Sequence, residues 1–71
     1  TTATLDFNVR EIGHQQYQIT PANYVMDLPV DIMVNHKIEK KTLNKDGIKI
    51  TSQHPPIIDP KGFYLKKVFV Q

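Results

Sequence analysis

The chain reads as a single all-β domain spanning 1–71, with about five mostly antiparallel strands in a rolled sheet or small barrel. Three observations predict this. Apolar residues recur at every second position near the start, as in Leu5, Phe7 and Val9. The same alternation returns from Val30 onward. Two tetrapeptides ending in glycine, Asn44–Gly47 and Asp59–Gly62, then punctuate the second half.

The first strand sets Ala3, Leu5, Phe7 and Val9 against Thr4, Asp6, Asn8 and Arg10, the mark of a half-buried strand. Gly13 interrupts it, and Tyr17 and Ile19 suggest a second, more polar strand over Gln15–Thr20. Thr20–Pro29 offers one short helical turn near 21–28, with Thr20 as cap, Pro21 in the first position and Pro29 as stop; the alternative is an extended connection. From Val30 a long central strand is expected to run to Leu43, with Val30, Ile32, Val34, His36 and Ile38 on one face.

Asn44–Gly47 suits a bulged type I turn, because asparagine favours the first position and glycine accepts positive φ. A hairpin there pairs Asn44 with Ile48, Thr42 with Ile50, Lys40 with Ser52 and Ile38 with His54. That register places Ile48 and Ile50 on the face of Val30 and Ile32. Asp59–Gly62 repeats the turn with proline second, pairing Asp59 with Phe63 and Ile57 with Leu65. The last strand, Phe63–Val70, changes phase at Lys66-Lys67. A β-bulge there, or burial on both faces, would accommodate the change.

Seventy-one residues bury only a modest core, and the chain has no cysteine to staple it. A partner surface, either a second copy or another protein, is the expected support. No stretch approaches a membrane span, and Thr1–Asn8 alternates where a signal peptide would run apolar. A cytoplasmic protein without membrane association is the expectation. The net charge of +2 is unevenly distributed. Residues 1–35 set Arg10 against Asp6, Glu11, Asp27 and Asp31, giving −3. Residues 36–71 set eight lysines against Glu39, Asp46 and Asp59, giving +5. This split suggests head-to-tail association or a basic patch, and reads equally as solvated charge.

Little of this points to catalysis. His36 and His54 fall on one face in the expected register, but no histidine spacing makes a metal motif. Ser52 is the only serine and lies on no sharp elbow; Asp27 and Asp31 flank Leu28-Pro29 as a loop would. No cofactor, metal or enzymatic activity is expected. The expected function is a small binding or accessory protein working through protein–protein contact or homo-oligomeric assembly. Its terminal strands would be suited to strand addition, with Met33, Phe69 or Tyr17 at an apolar contact. The alternative is nucleic-acid binding through a basic face of Lys37, Lys41, Lys49, Tyr64, Lys66 and Lys67. Against it, stacking aromatics are few, lysine lacks bidentate geometry, and lysines on exposed strands also deter aggregation.

Overall fold

The computed structural model describes residues 4–24 and 26–71. Ala3, from the expected first strand, and Val25, from the expected helical turn, lie outside the described residues. The fold is all-β, with seven strands among the described residues where about five were expected: β1 (Leu5–Gly13), β2 (Gln16–Pro21), β3 (Leu28–Val34), β4 (Lys37–Leu43), β5 (Ile48–Thr51), β6 (Ile57–Ile58) and β7 (Lys66–Val70). They form two sheets, ordered β5-β2-β1-β7 and β4-β3-β6. The sheets face each other and stay open at both sides, so the barrel does not close. Four strand pairs are antiparallel, and β1–β7 is parallel.

The core lies between the sheets. The larger sheet contributes Phe7, Val9, Tyr17, Ile19 and Ile50; the smaller contributes Leu28, Val30, Ile32, Leu43 and Ile58. The alternation in β1 therefore does what its pattern implies. Phe7 and Val9 are buried while Arg10 is exposed. Tyr17, expected on the outside, is buried, because the β1–β2 register places it beside Glu11 and across from Ile50. Burial first, then the neighbouring Glu11 carboxylate, pushes its phenol above the ordinary value.

The expected central strand is two strands. Asn35 and His36 take φ values of 50° and 69°, and Val34 pairs with Lys37, so the chain reverses in a two-residue hairpin. Successive positive φ is the geometry of a type I′ turn, and asparagine and histidine are among the non-glycine residues that tolerate it best. The reversal inverts the alternation. Even positions 30, 32 and 34 face the core in β3, whereas the odd positions of β4 share that side, ending in buried Leu43. Ile38, expected inside, is thereby turned outward and is 44% exposed.

Both glycine turns form, but neither makes the expected hairpin. The Gly47 N–H donates to Asn44 O at 3.0 Å, and Asn44 Oδ1 accepts the Asp46 N–H at 2.9 Å. The turn nevertheless carries the chain from one sheet to the other. β5 pairs with β2, matching Ile48 to Ile19 and Ile50 to Tyr17, instead of with β4. Turn chemistry specifies a local reversal, and the partner is chosen by which edge can bury the isoleucines. At Asp59–Gly62 the same closure appears, with Gly62 N–H to Asp59 O at 3.0 Å. Here β6 pairs with β3, and the final strand begins only at Lys66. Phe63 and Leu65, expected in that strand, are 74% and 64% exposed. β7 pairs without a register break, so the expected bulge at Lys66-Lys67 is absent, and so is burial on both faces.

Among the described residues, Thr20–Pro29 holds no helix. Thr20 and Pro21 instead prolong β2, because Ile19 must reach the core and Pro21 lies opposite Phe7. Asn23 then extends the ladder with its side chain. Its Oδ1 accepts the Asp6 N–H and its Nδ2 donates to Thr4 O, both at 2.8 Å. Tyr24 packs edge-on against Phe7 at 5.6 Å; its buried hydroxyl has no hydrogen-bond partner among the described residues, and burial, followed by nearby Tyr64, pushes it up to about 12.

Candidate interaction edge

Two open sheets have four edge strands, and an edge exposes unpaired N–H and C=O groups that invite another strand. Three of these edges are blunted. β6 is two residues long and β5 is four. β4 is longer, but Lys37, Glu39 and Lys41 pair with Val34, Ile32 and Val30 and so project toward the gap between the sheets. Inward-pointing charges of this kind are a recognised block to edge pairing. β5 reaches that side too. Lys37, Lys41 and Lys49 border one cleft of about 420 Å³ together with Glu39, Asn35 and Ile50. Lys41 and Glu39 approach to 4.0 Å on exposed side chains, which contributes little to stability.

β7 is different. Among the described residues it has one neighbour, β1, and no strand pairs with its other side. In register, Phe7 pairs with Val68 and Val9 with Val70, so both valines occupy the core-facing side. They are nevertheless 38% and 71% exposed, because the narrower second sheet stops short of β7. Phe69, on the opposite face beside Asn8, is 47% exposed. Phe63 and Leu65, in the segment before β7, are exposed as well, separated from Val68 by Lys66 and Lys67.

The two lysines that open β7 differ in their surroundings. Lys66 Nζ is 3.4 Å from Asp59 Oδ2 and is partly buried. Lys67 is matched in register with Asp6. Asp59 itself is buried and takes a φ of 49°. Its carboxylate accepts the Phe63 N–H at 3.0 Å and the Tyr64 N–H at 2.8 Å. Burial alone would raise its pKa, but the Tyr64 and Phe63 amides and the Lys66 ammonium outweigh it and hold the carboxyl below the usual range. Tyr64 donates its hydroxyl to Pro29 O at 2.6 Å, pinning the loop to β3. Asp59 thus shapes the segment that delivers the chain to β7.

The six residues of the expected basic face therefore separate. Lys37, Lys41 and Lys49 meet at the β4–β5 cleft, whereas Tyr64, Lys66 and Lys67 belong to the approach and start of β7. The expected strand register also fails for the histidines. His36 sits in the type I′ turn and His54 in the segment after β5, though both border a small hollow with Ser52 and Met33. Among the described residues, no group of three histidine, aspartate or glutamate side chains could hold a metal. Ser52 is buried and donates to His54 O at 2.5 Å, while Asn35 Oδ1 accepts the Gln53 N–H at 3.0 Å. These contacts fasten the β3–β4 turn to the end of β5. Among the described residues, no helix is long and apolar enough to cross a membrane.

The importance of β7 could not be read from its residue types alone. Its alternation suggested a strand, but only the unequal width of the two sheets exposes it. No family, curated protein or solved structure that was compared matches this chain.

Proposed function

We propose that the protein is a non-enzymatic interaction module that associates by adding a strand to the free edge of β7. The observation that carries this reading is the contrast among its edges: two are short, one carries inward-pointing charges, and the fourth, unpaired among the described residues, exposes Val68, Phe69 and Val70. A small two-sheet core gains what it lacks when a further strand pairs with β7 and covers Val68 and Val70. Backbone pairing would supply affinity, and the alternating side chains would supply selectivity.

The test uses a short capped peptide of alternating threonine and valine as a generic strand probe. Binding is expected to shift the NMR signals of Lys66–Val70, and Val68→Pro is expected to weaken it about fivefold through the loss of one hydrogen bond. Proline is tolerated where a strand's N–H faces away from its neighbour, so the variant should still fold. Failure of the peptide to bind at millimolar concentration would remove the reading.

A second reading rests on the cleft where Lys37, Lys41 and Lys49 converge. It would take a polyanion such as a single-stranded nucleic acid. An oligothymidine titration distinguishes it: binding that weakens steeply with salt and is lost in a Lys37→Gln, Lys41→Gln, Lys49→Gln variant would support it. No binding at low salt would end it.

A further inference from the structure

We infer that the strand received by β7 is β7 of a second copy of this chain, paired antiparallel about Val68 in a closed two-fold dimer. The inference rests on the strand-addition reading and adds the identity of the partner and the register.

The backbone pattern supports it first. Leu5 N–H donates to Leu65 O, and Gln71 N–H donates to Val9 O, each across the β1–β7 pair. Amides alternate in direction along a strand, so the odd positions of β7 turn toward β1. The N–H and C=O groups of Lys66, Val68 and Val70 then face outward. An antiparallel pair exchanges both hydrogen bonds between residues directly opposite each other at alternate positions. Centring on Val68 matches Val68 with its own copy and Lys66 with Val70 of the other copy. Every outward group in the strand then meets an outward group.

Charge supports the same register. Lys66 lies opposite Val70 and Lys67 opposite Phe69, so no lysine faces a lysine. Like charges directly opposite each other would be unfavourable. Lys66 also retains its ion pair with Asp59. On the outer face, each Lys67 stem lies against a Phe69 ring of the other copy. On the inner face, Val68 and Val70 of both copies form one apolar floor between the two smaller sheets.

Closure is the third support. β7 meeting the β5 edge of another copy would be head-to-tail and would leave a free β7 at the end of every chain, extending without limit. β5 is also short and carries Lys49 at its rim. The β7–β7 contact uses up both exposed edges at once and stops at two copies.

The absence of native cysteine permits a clean test. Lys67→Cys and Phe69→Cys chains are prepared separately and then mixed under mild oxidation. In the inferred register these positions are a non-hydrogen-bonded pair, with Cα atoms close enough for a disulfide. The mixture is expected to cross-link at least about tenfold faster than either chain alone. Sedimentation of the unmodified chain is expected to show a monomer–dimer equilibrium and nothing larger. Val68→Pro should weaken it about thirtyfold, because the two-fold axis doubles the loss of one hydrogen bond. A strictly monomeric chain at millimolar concentration, species growing past the dimer, or equal cross-linking of all three samples would overturn the inference. If the chain is monomeric but the threonine–valine peptide still binds β7, only the self-pairing falls. If the peptide also fails, strand addition falls with it.

Discussion

Gly47→Ala is expected to lower stability by about 3 kcal/mol, from a left-handed backbone penalty of about 1–2 kcal/mol and a steric displacement of similar size. Gly47 has a φ of 79°, and a Cβ there would lie 2.3 Å from Ile19 O and 2.6 Å from Thr20 Cγ2. The first of these is backbone, so no side-chain rotation relieves it. The turn would have to lift away from β2, loosening the Ile19–Ile48 pair next to it. In a domain of this size the midpoint of thermal unfolding should fall by about 15–20 °C. Gly62 provides the control. Its φ is 72°, but an added Cβ meets nothing within 4 Å, so Gly62→Ala should cost only the backbone penalty of about 1–2 kcal/mol. Thermal melts of the two variants side by side check this. Equal losses would mean that the approach to Ile19 does not matter.

Asp59→Ala should be at least as damaging, at about 3–4 kcal/mol. It leaves the Phe63 and Tyr64 amides without their acceptor, strips partly buried Lys66 of its counter-charge, and puts alanine at a positive φ. Asp59→Asn should lose less, because asparagine tolerates that backbone and keeps one acceptor oxygen. The pH dependence follows from the lowered carboxyl. The unfolded chain binds this proton near the ordinary value of about 3.9, and the folded chain binds it only at lower pH. The stabilisation is therefore complete above the unfolded value and is lost as pH falls through the folded one. Denaturant melts from neutral to acidic pH should show a steeper acid loss in the wild type than in Asp59→Asn. Identical slopes would remove Asp59 from that role.

Particular residues show how far the fold was legible in the sequence. Leu5, Phe7 and Val9 announced β1, and Asn44–Gly47 and Asp59–Gly62 announced turns that do form. These are local statements, and alternation and positive φ are local properties. The pairing was not legible, because it depends on which distant edge completes the core. Four of the six connections carry the chain from one sheet to the other, so a correct turn led to a wrong partner. Asn35 was the one missed local signal. Asparagine followed by histidine inside an apolar alternation can reverse the chain, and reading through it reversed the inside and outside of β4. The same inversion brings Lys37 and Lys41 to the cleft and leaves Ile38 outside. As for the interaction edge, Tyr64, Lys66 and Lys67 stood together in the sequence as part of a basic face. Their significance lies in a bare sheet edge that no single segment encodes.

Amide hydrogen exchange along β7, followed residue by residue as concentration rises, tests the interaction edge most directly. Lys67 and Phe69 should be protected at every concentration, because their amides are bonded to β1. Lys66, Val68 and Val70 should exchange rapidly in dilute solution and become protected as the second strand arrives. Free exchange of those three amides at all concentrations, and with the threonine–valine peptide in excess, would contradict the account.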